Sequence, residues 1–170
     1  MMKIMLEDME KDLEILQATE LYDTDKLVCS LTHLTHQLVY FYNCVVNEKN
    51  TPDKTVYRLK NRPREHQLVY FNIGRGFPKE LMDGHWCYIL KMYATKAIVI
   101  PTTSIKIDSK INDEYEMDIK SDFNGKQILS RLQLSDIRSV DLQRIDERKQ
   151  FLDVLTEKNM IKSFLQEKLI

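Results

Sequence analysis

The sequence predicts an α+β protein: a helical hairpin, then a small antiparallel β-barrel or sandwich, then C-terminal helices. Apolar residues recur at helical spacing in the first and last parts of the chain, whereas the middle holds short apolar or alternating runs separated by turns. The 170 residues, of which 43% are apolar and 30% charged, suffice for one compact domain with an appendage. We therefore divide the chain into a hairpin, a basic linker and a barrel with C-terminal helices: 1–50, 51–66 and 67–170.

Two amphipathic helices are predicted in the hairpin. In the first, apolar residues are spaced four and three apart in turn, with acids on the opposite face; they are Met2, Leu6, Met9, Leu13 and Leu16. The second repeats this spacing over 27–45, after Asp23, Thr24 and Asp25, which supply turn and N-cap chemistry. The stripes can pack on each other, on the rest of the chain or on a second copy. We expect internal packing, because amphipathic stripes usually build a core.

The net charge of −1 conceals an asymmetry between the hairpin and the rest of the chain. Residues 1–50 carry nine acids and four bases, net −5, whereas residues 51–170 carry 21 bases and 17 acids, net +4. A basic body suits a polyanionic ligand, and the acidic hairpin would repel that ligand or cover its site. Three linker arginines either contact phosphates or belong to a solvated connector: Arg58, Arg62 and Arg64.

Six segments are predicted as β-strands. Three are rich in β-branched and aromatic residues and are bounded by Gly or Pro: 67–73, 86–90 and 97–100. Three more alternate apolar with polar residues, as half-exposed antiparallel strands do: 104–108, 115–119 and 127–134. Pro101 is expected to end the third strand. From Leu142 the spacing is helical again and predicts two C-terminal helices, which break near Lys158 and cover the barrel.

The three cysteines do not predict disulfides. Cys29, Cys44 and Cys87 are odd in number, form no CxxC pair and each fall in an apolar run, which indicates buried thiols in a reducing compartment, here the cytoplasm. No apolar region follows Met1 as in a signal peptide. The longest apolar stretch, 37–46, is too short to cross a bilayer, so we expect no membrane partner.

The loop between the first two predicted strands has the composition of a binding site. Residues 74–85 hold three of the four glycines in the chain, together with Arg75, Lys79, Glu80 and His85. An irregular loop on a rigid barrel is a common place for functional side chains. The loop therefore supplies candidate cations, a candidate carboxylate and a candidate imidazole.

The end of the third strand supplies hydroxyl groups. Thr102, Thr103 and Ser104 follow Pro101, and at a strand end they can face a ligand. Nearby residues allow two interpretations each. Trp86, the sole tryptophan, can stack a nucleobase or pack in the core, and core packing is favoured. Cys87 shares a strand face with His85 as a conceivable nucleophile, but a packed thiol is favoured.

The order of these motifs resembles the PemK/MazF family of toxin endoribonucleases. The matching parts are a glycine-containing strand end, a glutamate, a glycine followed by a histidine, an apolar strand, and a proline followed by threonine and serine: 71–74, Glu80, Gly84, His85, 86–90 and 99–104. A later stretch, 134–145, is similar to the family's strand with an arginine and an aspartate, followed by a helix. The resemblance covers roughly residues 67–145.

The resemblance implies a PemK/MazF-like β-barrel, often a homodimer, that cuts single-stranded RNA without a metal or other cofactor. Such enzymes use the 2′-hydroxyl of the RNA as nucleophile and can be restrained by an antitoxin or another inhibitory protein. By position, the family's catalytic arginine falls on His85, its threonine on Thr103, and a glutamate beside its site on Glu80. RNA contacts are expected from eight residues: Arg75, Lys79, Trp86, Ser104, Arg138, Arg58, Arg62 and Arg64.

Histidine in place of the arginine alters the chemistry that this site can perform. An imidazole can act as general acid or base near neutral pH, whereas a guanidinium stays charged. Thr103 would hold a phosphate oxygen, and Arg75, Lys79 or Arg138 would supply the positive charge. Alternatively, the replacement has abolished catalysis, and the barrel is a non-catalytic adaptor that binds RNA or protein.

Overall fold

The computed structural model describes residues 1–46 and 59–169. The chain divides into two compact units, Met1–Asp53 and Lys54–Ile170. Among the described residues, the first unit is helical and the second is a β-barrel with one α-helix, so the predicted α+β class is confirmed. The first part of the predicted linker, 51–58, lies outside the described residues, and the expected RNA contact of Arg58 lies there.

The first unit contains the two predicted helices. They are α1 (Met2–Ala18) and α2 (Thr24–Tyr40), which a π-helical turn extends over Phe41–Val45. The Asp23 carboxylate accepts a hydrogen bond from the Lys26 backbone N–H at 2.9 Å and caps α2, as predicted. The expected internal packing is present in part: Leu13, Leu16, Leu27 and Leu34 are half-buried, but α1 has no fully buried residue and α2 buries only Thr24. Within the described residues, no helix has the length and apolar character to cross a bilayer.

The second unit contains an antiparallel barrel closed by six strands. Its strands are β1 (Gln67–Asn72), β2 (Gly84–Met92), β3 (Lys96–Ser104), β4 (Glu116–Phe123), β5 (Lys126–Gln133), β6 (Arg138–Asp141) and β7 (Leu152–Val154). Pairing runs from β1 through β2, β3, β5, β4 and β7 back to β1, while β6 pairs only with β3. Closure leaves no open edge among the six barrel strands.

The strand β3 is longer than the sequence predicts, because Pro101 does not end it. One edge of β3 pairs with β2, while the other pairs with β6 over Lys96–Val99 and with β5 over Thr102–Ser104. Ile100 and Pro101 pair only with β2. A residue without an N–H is tolerated where one ladder stops and the next begins. The separate strand predicted over 104–108 is therefore absent, since β3 takes up Ser104 and turns follow it.

The C-terminal region contains one of the two predicted helices. Only the second is found, as α3 (Lys158–Leu169). The first is wrong: Leu142–Arg144 is a short 3₁₀ turn, and β7 follows and closes the barrel between β1 and β4. Three of the apolar residues that suggested the helix are buried in the two apolar layers of the barrel, Leu142, Ile145 and Leu152, while Phe151 is half-buried and Leu155 is exposed. Tertiary packing here overrides the local helical pattern.

Two apolar layers surround the strands β1, β2 and β3. The first draws on all six closing strands and on α3, and its most buried members are Leu68, Tyr88, Ile100, Ile119, Leu132 and Ile161. The second joins β1–β3 to β6 and the segment after it, through Phe71, Cys87, Val99, Val140 and Leu142. Since neighbouring residues on a strand face opposite sides, these three strands are buried on both faces. This explains why the middle of each strand is a continuous apolar run that does not alternate with polar residues.

Candidate functional site

A cavity of about 290 Å³ lies where β2 begins and β3 ends. Its lining comes from β1, β2, β3 and β5 and consists of Tyr70, Gly84, His85, Trp86, Thr102, Thr103, Ser104 and Ser130. Four residues that the sequence predicts as functional therefore share one cavity: His85, Trp86, Thr103 and Ser104. Two segments that are distant in sequence meet there because β2 and β3 are antiparallel neighbours.

Side-chain hydrogen bonds join β2 and β3 at the cavity. The paired register of the two strands reaches Cys87 opposite Pro101 and, continued one step at a time, would set His85 opposite Thr103. Beyond Pro101, the Thr102 hydroxyl donates to the Trp86 carbonyl at 2.9 Å. The Thr102 carbonyl lies 3.2 Å from His85 Nδ1. These two bonds hold the strand ends together and fix the imidazole against β3.

The bond to Thr102 determines which tautomer of His85 is present. A carbonyl oxygen only accepts hydrogen bonds, so Nδ1 must carry the proton and donate it. In the neutral ring, Nε2 then has a free lone pair and can accept a proton. Among the described residues, Nε2 has no hydrogen-bond partner. The half-buried imidazole is thus held as a potential general base at the cavity.

Thr103 is oriented by a polar network that extends into β4 and β5. The Gln133 side-chain amide donates to the Thr103 hydroxyl at 3.2 Å and to a Glu116 oxygen at 2.9 Å. Glu116 also lies 3.6 Å from the Arg131 guanidinium, which binds both oxygens of Asp118 at 2.6 and 3.1 Å. The hydrogen bonds with Asp118 raise the pKa of Arg131. The Thr103 oxygen accepts this bond with one lone pair and, among the described residues, donates to no acceptor, so its own proton is available to a ligand.

An aromatic pair forms another wall of the cavity. The rings of Tyr70 and Trp86 meet edge to face, with centroids 5.6 Å apart and planes at 81°. Gly84 allows this arrangement, since a Cβ at that position would overlap the Tyr70 ring. Lys149 adds a cation nearby, with its Nζ 5.7 Å from the centroid of the Tyr70 ring. An aromatic surface beside a cation suits a nucleobase and its phosphate.

Glu80 and the two predicted arginines do not line the cavity. The Glu80 carboxylate accepts from the Phe77 backbone N–H at 2.8 Å and closes a turn of the exposed loop. Arg75 lies 3.0 Å from Asp83, and Arg138 binds the Asp136 carboxylate at 3.3 Å and its carbonyl at 3.2 Å. These acids neutralise the charges that we expected to face a phosphate. Lys79 is exposed on the same loop and is also absent from the lining.

The described part of the predicted linker is fastened to the barrel. The Arg62 guanidinium donates to the carbonyls of Tyr93 and Ala94 at 2.8 and 3.0 Å. The Arg64 guanidinium binds Asp153 in β7 at 2.9 Å. Both arginines hold the segment before β1 in place, and neither lines the cavity.

The sequence analysis missed several residues of this site. Tyr70 and Ser130 line the cavity, Lys149 lies over Tyr70, and Gln133 orients Thr103. A signal existed for Gln133, because it lies two residues after Arg131 and so shares its strand face. Two adjacent polar positions on one face of a short barrel strand indicate a buried polar network. No comparable signal marks Lys149, which reaches Tyr70 only through the fold.

The cysteines differ from one another in a way that the sequence did not predict. Cys87 is fully buried, and burial raises the pKa of its thiol to about 12. The packed-thiol interpretation is confirmed for this residue, and a thiolate nucleophile is disfavoured. Cys29 and Cys44 are exposed, so the expectation that all three are buried is wrong.

Thiol reagents are expected to label Cys29 and Cys44 in the folded protein and to leave Cys87 unlabelled. The thiolate is the reactive form, and a buried thiol with a pKa of about 12 is almost entirely protonated near neutral pH. Mass spectrometry after iodoacetamide treatment, with and without urea, measures this. Labelling of native Cys87 as fast as Cys29 would contradict the described burial.

No family model matches the chain, and no curated protein matches it at a significant level. The PemK/MazF resemblance of residues 67–145 therefore stays a prediction. Among residues 1–46 and 59–169, no three His, Cys, Asp or Glu side chains are grouped so that they could hold a metal ion. What the site offers is an imidazole, hydroxyl groups and an aromatic pair around one cavity.

Proposed function

We propose that the protein is an endoribonuclease of the PemK/MazF type, of toxin or defence function, that cleaves single-stranded RNA without a metal ion. One observation carries the proposal: an imidazole with its Nε2 unengaged and a hydroxyl oriented for donation line the same cavity. These are the groups that transfer of the 2′ proton and stabilisation of a charged phosphorane require. An inhibitory partner protein would restrain the activity.

The proposed reaction uses the 2′-hydroxyl of the substrate as nucleophile. His85 Nε2 takes the 2′ proton as the 2′ oxygen bonds to phosphorus. The bond from phosphorus to the 5′ oxygen breaks, and that oxygen takes a proton from water. The hydroxide that remains takes the proton from His85 Nε2, which returns the ring to its neutral form. The products are a 2′,3′-cyclic phosphate and a 5′-hydroxyl. The Thr103 hydroxyl donates to a non-bridging oxygen, where negative charge accumulates in the transition state.

Substrate binding would use the aromatic pair and Lys149. A nucleobase stacks on Trp86 or Tyr70 in a way that tolerates any base, because every base has a π-face. Such stacking requires an unpaired base, which favours single-stranded over duplex RNA. Lys149 is the proposed phosphate contact because its Nζ lies over the ring of Tyr70, a wall of the cavity, although it also interacts electrostatically with Asp146. Arg75 and Arg138 are in salt bridges with Asp83 and Asp136.

The test is cleavage of a defined single-stranded RNA by the purified protein in EDTA. We expect products that end in a cyclic phosphate and a 5′-hydroxyl, identified by mass spectrometry. A matched RNA with one 2′-deoxy residue at the cleaved position is expected to resist cleavage there, because the nucleophile is missing. Cleavage of the deoxy-substituted RNA at the same position, or activity that EDTA abolishes, would overturn the mechanism.

A second candidate function is a non-catalytic platform that binds RNA or protein. It is favoured by one observation: the lining of the described cavity includes no Lys or Arg, and both candidate arginines pair with acids. This alternative predicts salt-sensitive binding of single-stranded RNA with no turnover. Binding measured at several salt concentrations, with the RNA recovered intact, would support it over the nuclease.

A further inference from the structure

The second helix of the first unit has a composition that is unusual for an exposed helix. From Leu27 to Val46, 20 consecutive residues include no Asp, Glu, Lys or Arg. Six large apolar side chains along this stretch are nevertheless exposed by 37% to 57%: Val28, Leu31, Leu38, Val39, Tyr40 and Tyr42. A helix that lacks charge on every face is normally buried on more than one side. The composition therefore indicates that this helix has a packing partner outside the first unit.

Two parallel apolar stripes run along α2 and the π-helical turn that follows it. The members of the first stripe are half-buried and are spaced three and four residues apart in turn: Leu27, Ser30, Leu34, Gln37 and Phe41. The other has the same spacing one residue later, and all its members are exposed: Val28, Leu31, Thr35, Leu38 and Tyr42. Thr24, at the start of α2, is the one fully buried residue of this helix. Heptad spacing on two adjacent faces is typical of a bundle helix that packs against two neighbours. The exposed stripe thus lacks its neighbour.

The apolar stripe of α1 is covered at one end only. Leu13 and Leu16 are half-buried, whereas Met2, Leu6 and Met9 are exposed by 77%, 52% and 43%. Exposed heptad positions are therefore present on both helices. A helix pair in which each member has an uncovered seam can complete a four-helix bundle with one identical pair.

We propose that the α1–α2 pair docks on the same pair of a second copy of this chain, with α1 of one copy against the exposed stripe of α2 of the other. This inference is independent of the nuclease proposal. It also assigns a role to residues 1–50, which the family resemblance does not cover.

Charge favours this occupant and this arrangement. Residues 1–50 have a net charge of −5, which repels RNA and anionic membrane surfaces, and a second copy carries the same charge and must dock with its acids turned away from the contact. Within α1 there are five acids and two lysines, so two copies of α1 in contact would repel each other. The stripe of α2 has no charge between Leu27 and Val46, so α1 can pack against it without that repulsion.

The exposed apolar area approaches what a stable dimer needs. A standard protein interface takes roughly 800 Å² from each partner. Eight large side chains in and beside the two stripes, if buried completely, would give up roughly 100 Å² each on average, the methionines at the start of α1 more and Val28 and Leu31 less. They are exposed by 37% to 77%: Met2, Met5, Leu6, Met9, Val28, Leu31, Leu38 and Tyr42.

The test is the molar mass of the full chain, measured by light scattering and sedimentation over a range of concentrations. We expect twice the 20.2 kDa of one chain for the wild type. Leu31→Glu with Leu38→Glu should raise the dissociation constant by about 100-fold or more, because both charges enter the buried seam. The matched control is His33→Glu with Tyr40→Glu, which adds the same charges at the same seven-residue spacing on the opposite face of α2. This control should stay dimeric.

The remaining outcomes decide against the proposal. A wild-type molar mass equal to one chain at every concentration overturns the proposal, as does a molar mass equal to three or more chains. Dimers that survive in both double variants place the interface elsewhere, and dissociation in both variants shows a general charge effect. Circular dichroism on dilution covers the case in which the helices unfold when apart. Helicity that falls together with the mass supports the dimer, while Trp86 fluorescence reports whether the barrel stays folded.

Discussion

Replacing His85 with alanine is expected to lower the rate of RNA cleavage by about 100-fold or more, which is the usual contribution of a positioned general acid or base. The physical reason is the loss of Nε2, which the hydrogen bond from Nδ1 to the Thr102 carbonyl leaves free to take the 2′ proton. Binding of RNA should change much less, since the aromatic pair and Lys149 remain. Single-turnover cleavage and RNA affinity, measured on the same preparation, separate the two effects.

Two further variants define what His85 contributes. His36→Ala removes an exposed histidine from α2 and should leave the cleavage rate unchanged. His85→Arg keeps a donor and adds permanent charge, but a guanidinium cannot take a proton near neutral pH. If His85 transfers protons, His85→Arg should be as inactive as His85→Ala. Full activity of His85→Ala would remove the assignment, and full activity of His85→Arg alone would reduce the role of His85 to hydrogen bonding and charge.

Phe71→Ala is expected to lower the free energy of unfolding of the barrel by about 3–5 kcal/mol, as deletion of a buried aromatic ring does. Phe71 is fully buried in the second apolar layer, and its backbone pairs with His85 in β2 and bridges to Ile145. The cavity left behind would lie directly beneath the strand that carries the candidate base. We therefore expect this variant to lose cleavage activity as well as stability.

The matched control is Phe77→Ala, which makes the same chemical change at an exposed site. The Phe77 side chain is 82% exposed in the loop before β2, so its removal should change stability little. Urea unfolding followed by the fluorescence of Trp86, the sole tryptophan, reports on the barrel unit alone. Equal losses of stability in the two variants would show that Phe71 is not packed as described.

The local sequence was sufficient to locate most of the secondary structure. The helices α1 and α2 follow from the stripes that contain Leu6 and Leu31, and the cap of α2 follows from Asp23. The first three strands follow from dense β-branched and aromatic residues, which favour extended backbone. These signals are local because backbone preference and capping depend on residues a few positions apart.

The candidate site was predicted in part. One cavity does contain His85, Trp86, Thr103 and Ser104. The start of β2 and the end of β3 meet there because the two strands pair with each other in antiparallel fashion. The prediction for Glu80 was not met, since its carboxylate accepts a hydrogen bond from the Phe77 backbone N–H within the loop and does not line the cavity. Arg75 and Arg138 were expected to face a phosphate, but each forms a salt bridge, with Asp83 and Asp136 respectively. Composition counts such charges, but only geometry shows which of them are paired.

By itself, the sequence determined the α+β class, the two N-terminal helices, five of the seven strands, and the imidazole and hydroxyl of the candidate site. Only the tertiary structure decided that Leu152–Val154 is a strand that closes the barrel, that Gln133 orients Thr103, and that Lys149 lies over Tyr70. The physical reason is the separation along the chain over which each kind of interaction acts. Propensity and periodicity act between near neighbours in the chain, whereas barrel closure and the site's polar contacts join residues tens of positions apart, whose pairing only the folded backbone defines.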